Sequence, residues 1–420
     1  MQNTRIVRVC AREILDSRGN PTVEASVHLS DGTVASASVP SGASTGSHEM
    51  LELRDKDPHR YRGLGVRQAV ENIKRKISPS LTGADAFDQY SIDDTLLKLD
   101  DTPDRSGLGA NAILAVSLAA ARAAAAALSM PLFRYLGGAR VARLPIPMMN
   151  ILNGGKHADN NLDIQEFMIV PIGAENFSHA LEMGSGVYHK LRALLASRGL
   201  STAVGDEGGF APNLPSDEAA IELILEAIAA AGYSTDQIGI ALDAAANEWV
   251  NNEGYFLPKR EKYMTKEELI SYWQTLVARY PILSLEDGAG EDDGEAWHML
   301  TKSLGGEIML VGDDLFVTNP DRFARGIEEG IANAILIKPN QIGTLTETLE
   351  VARLASSHHY GFILSHRSGE TEDTAIADLA VATGAPYIKA GAPARGERVA
   401  KYNRLSKIES ALADAAVYGL

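Results

Sequence analysis

The sequence predicts an α/β fold: a (β/α)8-type barrel that opens ββαα(βα)6, preceded by a smaller α+β domain. Three observations predict it. Eight short apolar runs recur beyond Leu144, helix-length amphipathic segments fit between most of them, and the run over 6–39 has the β-rich, turn-punctuated pattern of a small sheet. A chain of 420 residues accommodates one small domain and one barrel, here read as 1–138 and 139–420.

In the first domain, Thr22, Val23, Ala25, Val27 and Leu29 form a β-rich stretch closed by the turn Ser30-Asp31-Gly32. Residues 66–137 read as helical, ending at Gly137-Gly138. The alanine-rich stretch from Asn111 to Met130, interrupted by Arg122, reads as a packed helix too short and too weakly apolar to span a membrane. In the second domain the strands are expected over 146–152, 164–170, 238–243, 282–286, 308–313, 333–338, 361–366 and 386–389. Helices are expected over 176–198, 216–231, 266–279, 295–304, 319–329, 343–358, 373–383 and after Arg395. No helix separates the first two strands, and two helices follow the second. The turn-rich segment 247–262 reads as a hairpin inserted after the third strand.

Composition narrows the function. The formal net charge is −16, which opposes nucleic acid and anionic membranes at long range, so no nucleic-acid partner and no membrane insertion are expected. An anionic substrate would need local positive charge within its site. Cys10 is the only cysteine, which excludes an intrachain disulfide and fits a reducing, cytoplasmic setting. The first ten residues lack the apolar core of a secretion signal.

The later strands end on reactive side chains. The third closes on Asp243, the fourth on Glu286, the fifth on Asp313, the sixth on Lys338, the seventh on His366 with Arg367 and Ser368 beyond it, and the eighth on Lys389. Successive separations are 43, 27, 25, 28 and 23 residues; the last four each match one strand-plus-helix unit. In a closed barrel these ends surround one mouth. A lone strand-end Asp is as readily a helix cap, but six ionisable groups in register are not explained by capping. Three carboxylates with no cysteine or paired histidines suit a hard, oxygen-seeking cation such as Mg²⁺. Arg367 can grip a phosphate in bidentate fashion and Ser368 can add a hydroxyl bond. Low polarity and neighbouring cations are expected to lower the Lys338 pKa and make it a usable base. Three further segments stand out. The small-residue loop Ser41-Gly-Ala-Ser-Thr-Gly46 and the segment Asn153 to Asn160 with His157 are candidate lids, although most such loops are turns. The run Val204-Gly-Asp-Glu207-Gly-Gly can aim one acid from a tight backbone. Gln165 and Glu166 lie inside the second strand, where a buried carboxylate needs a partner.

These residues sit in longer strings. Asp16-Ser-Arg-Gly-Asn-Pro-Thr-Val-Glu24, Pro40-Ser-Gly-Ala-Ser-Thr-Gly46, His157-Ala-Asp-Asn160, Asp163-Ile-Gln-Glu-Phe-Met168, Val204-Gly-Asp-Glu-Gly-Gly209, Val311-Gly-Asp-Asp-Leu315 and Ser365-His-Arg-Ser-Gly-Glu-Thr371 together resemble the enolase family from Ile6 to about Leu412. The resemblance implies dehydration of 2-phospho-D-glycerate to phosphoenolpyruvate with two Mg²⁺, the second arriving with substrate. It implies Asp243, Glu286 and Asp313 as ligands of the first ion and Ser41 of the second. It implies Lys338 as the base at C2 and Glu207 as the acid at the C3 hydroxyl, with Glu166 beside it. Arg367 and Ser368 would hold the phosphate, Lys389, Gln165 and His366 would serve the substrate site, and His157 would close over it. The pairing of a lysine base with magnesium is a known pattern of this superfamily. A homodimer or an octamer of dimers and a cytoplasmic location are implied as well, some family members being also secreted or at the cell surface. Lys156 before His157, Ala390 after Lys389 and the run Asp287-Gly-Ala-Gly-Glu291 depart from the family's usual pattern. Another lyase or racemase of the wider superfamily, and a non-catalytic binding paralogue, stay open.

Overall fold

A computed structural model describes residues 4–42, 46–139 and 141–419. The N-terminal part is a three-stranded antiparallel sheet, β1 (Ile6–Leu15), β2 (Pro21–Leu29) and β3 (Val34–Ser38), in that spatial order. The alternation read in β2 has a direct cause. Val23, Ala25, Val27 and Leu29 point to one face and are buried, and the helix Ala110–Ala127 packs on that face. Alanine at the contact lets helix and sheet approach closely. The expectation that this stretch is too short and too weakly apolar for a membrane is corrected: it is the one helix among the described residues long and apolar enough to cross one. Its burial under the sheet is what gives it a place in the fold. Arg122 does not break the helix; its guanidinium reaches Asp373 Oδ1 at 2.7 Å and the Ser36 carbonyl at 2.8 Å, tying the first domain to the barrel. The helical region also contains a π-helical turn over Ile73–Ile77 and non-helical connections, so 66–137 is several helices rather than one run.

Beyond it, eight strands close a barrel: Ile146–Asn153, Glu166–Val170, Gly239–Asp243, Ile282–Glu286, Met309–Gly312, Ala334–Ile337, Gly361–Ser365 and Tyr387–Lys389. The second strand runs antiparallel to both neighbours, because no crossover helix separates it from the first; the others pair in parallel. The helices Phe177–Ser197 and Asp217–Ala230 follow it together, giving the ββαα opening. Side chains alternate through the wall. Ala334 and Leu336 belong to an inner apolar cluster with Met148, Met168, Ala241 and Ile363, whereas Ile335 and Ile337 face the helix layer. Helix starts follow from local chemistry: Asn176, Ser216, Asp293 and Thr344 each accept a backbone N–H of the first turn, and Thr265 with Glu268 forms a capping box. The insertion after the third strand is a three-stranded antiparallel meander, Val250–Asn251, Gly254–Leu257 and Lys262–Met264, one strand more than a hairpin.

Candidate active site

Closure of the barrel decides which strand ends meet. The third, fourth and fifth strands are consecutive in the ring and carry Asp243, Glu286 and Asp313. The sixth, seventh and eighth are consecutive on the other side and lead into Lys338, the His366-Arg367-Ser368 run and Lys389. One arc of the mouth is anionic and the other cationic. The second strand lies across the ring from the sixth; being reversed, it brings Glu166 at its first residue to the same mouth, beside Asp243 and opposite Lys338. One pocket is lined by His157, Gln165, Glu166, Glu207, Asp243, Asp313, Lys338, His366, Arg367, Ser368 and Lys389.

Lys389 is the electrostatic centre. Its Nζ lies 3.0 Å from Asp243 Oδ2, 2.9 Å from both oxygens of Glu286 and 3.2 Å from Glu166 Oε2. Burial works against its charge, but Asp243, Glu166 and Glu286 hold the ammonium well above the ordinary lysine range. Burial and the neighbouring Asp243 push the Glu286 carboxyl well up. One ammonium thus faces three buried carboxylates. Burying each ion costs several kcal/mol on the scale of about 5 kcal/mol when uncompensated, so the arc carries a deficit of positive charge. Its donors are all oxygen, which fits a hard divalent cation.

The three expected ligands do not gather on one point. Asp243 and Glu286 are bonded to Lys389, whereas Asp313 Oδ2 is bonded to Lys338 Nζ and its Oδ1 accepts Gln341 Nε2 at 2.9 Å. Among the described residues, the trios whose oxygen or nitrogen ligand atoms approach within 4.8 Å are His157, Glu166 and Glu207, and Asp287, Asp313 and Asp314. In the second trio, Asp287 is already committed: its two oxygens accept the N–H groups of Asp313 at 2.9 Å and Asp314 at 2.8 Å. It buttresses the fifth strand end.

The expectation for Lys338 is corrected. Burial, Arg367 and Lys389 do press its pKa down, but the contacting Asp313 carboxylate outweighs them and the ammonium lies above its ordinary value. Burial raises and Lys338 lowers the Asp313 carboxyl, which ends below its usual range. Neutralising Lys338 would require Asp313 to turn to another cation.

Across the pocket, Glu207 is aimed by the loop predicted to aim it. Gly208 adopts φ +90°, and a Cβ there would meet Ala392 Cβ at 3.0 Å; a Cβ on Gly209 would lie 2.5 Å from Asn153 Oδ1. Glu207 Oε2 accepts Asn150 Nδ2 at 3.0 Å and lies 3.2 Å from His366 Nε2. His157 Nδ1 lies 3.5 Å from Glu166 Oε1 and 3.8 Å from Glu207 Oε1. Burial lowers the pKa of both histidines, that of His366 to about 3. Burial and the charge of Glu207 push Glu166 well up; burial also opposes ionisation of Glu207, but His366 and His157 bring it well below the carboxylate range. Two close carboxyls of this kind titrate as a pair, so these directions belong to the Glu166/Glu207 pair and not to either residue alone.

Arg367 is fully engaged. Its two terminal nitrogens donate to Glu49 at 2.9 and 3.1 Å, and one also to Asn340 Oδ1 at 3.3 Å. Gln165 Nε2 reaches Asp243 Oδ2 at 3.5 Å. Ser41 is not brought to the carboxylates: its Oγ donates to Asp16 Oδ2 at 2.6 Å, and its backbone pairs with Gly369. The middle of the expected first lid, residues 43–45, lies outside the described residues. Beyond it, Ser47 donates to Glu291 Oε1 at 2.8 Å and His48 Nε2 lies 3.0 Å from Asp292.

Sequence reasoning missed Glu49, Asn150, Gln341 and Arg398. Asn150 had a readable signal, an amide inside the apolar strand run Ile-Pro-Met-Met-Asn-Ile-Leu. Glu49 and Arg398 had none, since each is one charge among many on its segment.

Comparison with known families agrees with this architecture. Residues 6–136 match the family described as Enolase, N-terminal domain, and residues 141–419 match Enolase, C-terminal TIM barrel domain. Both parts of the chain, in the family's own order, place this protein in the enolase family.

Proposed function

We propose that the protein is a phosphopyruvate hydratase, catalysing the reversible Mg²⁺-dependent dehydration of 2-phospho-D-glycerate to phosphoenolpyruvate in glycolysis and gluconeogenesis. The observation that carries the reading is the opposition across one pocket of Lys338 and the Glu166/Glu207 pair, between an anionic and a cationic arc.

The C2 proton is weakly acidic because it adjoins an ionised carboxylate, and its removal leaves two negative charges on one carboxylate group. Asp243, Glu286 and Asp313 would hold Mg²⁺ once Lys389 and Lys338 release their oxygens, and the ion would supply Lewis-acid stabilisation of that charge; Ser41, once its hydroxyl leaves Asp16, would serve a second ion entering with substrate. Lys389, buried and charged, adds a cation at the same mouth. Lys338, released from Asp313, takes the proton. The Glu166/Glu207 pair then returns a proton to the departing hydroxyl from the opposite wall. Arg367 and Ser368 bind the phosphate once Glu49 yields, Gln165 and His366 line the pocket, and His157 closes it. The reading also has the protein work in the cytoplasm as a homodimer or octamer of dimers.

The test is phosphoenolpyruvate absorbance in purified protein with Mg²⁺, with EDTA and with Mg²⁺ restored. Activity lost with chelator and regained with metal is expected. No phosphoenolpyruvate from 2-phospho-D-glycerate under any of the three conditions would refute the reaction. A racemase of the wider superfamily would instead exchange an α-proton without eliminating water.

A further inference from the structure

The helix Gly396–Leu412 sends one side chain under the reacting wall. Arg398 is completely buried, and its guanidinium staples two segments that have no sequence proximity. One terminal nitrogen, Nη1, lies 2.6 Å from His366 Nδ1 and donates to the Arg367 carbonyl at 2.6 Å; the other, Nη2, donates to the Ser368 carbonyl at 2.6 Å and the Asp206 carbonyl at 3.1 Å. An arginine only donates and does not lose its charge in a protein. A ring nitrogen 2.6 Å from it must therefore be the acceptor. For an imidazole this settles the tautomer: Nδ1 is bare and the proton is on Nε2. Nε2 lies 3.2 Å from Glu207 Oε2, with its N–H off the straightest line to that oxygen. Catalytic contacts of this kind are commonly loose before substrate arrives and tighten with it. The same oxygen already accepts Asn150 Nδ2 at 3.0 Å.

We infer that Arg398 is a positioning residue: it holds His366 in the Nε2–H tautomer, which commits Oε2 of Glu207 to accepting and leaves Oε1 as the oxygen that carries and delivers the proton. The inference rests on the dehydration reading and deepens it. Oε1 is the oxygen 3.8 Å from His157 Nδ1, which also lies 3.5 Å from Glu166 Oε1, so the proton of the carboxyl pair has its route on that side. Among the described residues, the charged groups near this wall include Glu166, Asp206, Asp243, Lys389, Arg398 itself and Glu397, whose Oε1 lies 3.4 Å from Arg398 Nε, and none of them is hydrogen-bonded to Oε2. In the elimination step the C3–O bond breaks with its electron pair going to oxygen. The electrons at the enolic centre close the C2–C3 double bond, and the proton from Glu207 Oε1 completes water. Glu207 is left as a carboxylate still held at Oε2.

The primary test is the ring of His366 in the intact protein, read by ¹⁵N NMR of histidine-labelled protein and assigned by its loss in His366→Gln. Expected is a neutral ring with Nε2 protonated and Nδ1 bare near pH 7. A ring protonated on Nδ1, or on both nitrogens, overturns the inference whether or not any variant folds. The second arm is Arg398→Met with Arg398→Lys. In the methionine variant the ring should lose its single tautomer, and dehydration kcat should fall about 10- to 100-fold, as on losing the group that orients a metal-ligating histidine. C2 solvent exchange and KM should stay near those of the parent, and the lysine variant should recover part of the loss. Exchange and dehydration falling together, or an unchanged tautomer, would show a merely structural arginine. If the parent itself neither exchanges the C2 proton nor makes phosphoenolpyruvate, the dehydration reading fails, while the NMR result still decides the tautomer.

Discussion

Replacing Glu49 by glutamine should make this protein bind phosphate more tightly. Glu49 sits where an anion would sit: two oxygens on two nitrogens of Arg367, at 2.9 and 3.1 Å, with the two side chains 10% and 2% exposed. Burial presses the Arg367 pKa down, but Glu49 holds it above its ordinary value, so the guanidinium is already neutralised. An incoming phosphate must displace that carboxylate. A hydrogen bond to a charged group contributes about 1.5–3 kcal/mol. Glutamine keeps one oxygen and loses the charge, so about one such contribution is removed from the competitor. At about 1.4 kcal/mol per factor of ten, affinity should rise roughly 10- to 100-fold. Titration calorimetry with inorganic phosphate, at fixed Mg²⁺ and moderate salt, reads this directly, and KM for 2-phospho-D-glycerate should fall in parallel. Unchanged or weaker phosphate binding in a folded Glu49→Gln protein would refute Glu49 as an internal competitor and make it a part of the binding site itself.

Other perturbations separate the remaining roles. Lys338→Ala should abolish exchange of the C2 proton with solvent, measured by deuterium incorporation; normal exchange would remove Lys338 as the base. Glu207→Gln should keep that exchange and lower dehydration by about 100-fold or more; retention of both steps would move the acid elsewhere, Glu166 being the next group to test. Away from the mouth, Asp217 faces Arg260 and accepts the N–H groups of Asp163 and Ile164, and burial raises its carboxyl to about 6. A carboxyl raised on folding stabilises the folded state most below its unfolded pKa, and that contribution is lost as pH rises through about 6. The melting temperature of the parent relative to Asp217→Asn should therefore fall between pH 4 and 6, by an amount corresponding to about 3 kcal/mol at most; a constant difference across that range would contradict the shift.

Strand ends were the most legible part of the site. Asp243, Glu286, Asp313, Lys338, His366 and Lys389 each end an apolar run, and a closed parallel barrel sends such ends to one face whatever the loops do. Glu207 was legible for a different reason: glycines on both sides signal a backbone that only glycine can follow, and Gly208 at φ +90° is that place. Ser41 was legible as a candidate, yet its hydroxyl rests on Asp16, because a loop's position depends on what it packs against. Lys338 was read with its charge balance reversed, since the neighbour that dominates it, Asp313, belongs to a different strand and its distance is not written in either segment.

By itself the sequence determined the periodicities, hence the elements, their order and the single mouth, because hydrophobic spacing and strand-end position are local properties of the chain. Only the tertiary structure decided who pairs with whom. Glu49 comes to Arg367 from 318 residues away, and Arg398 to His366 from beyond a helix and a strand. Charge and tautomer follow from contacts made through space, and Coulomb energy at a few ångströms in a buried site outweighs anything a residue's own neighbours in the chain impose.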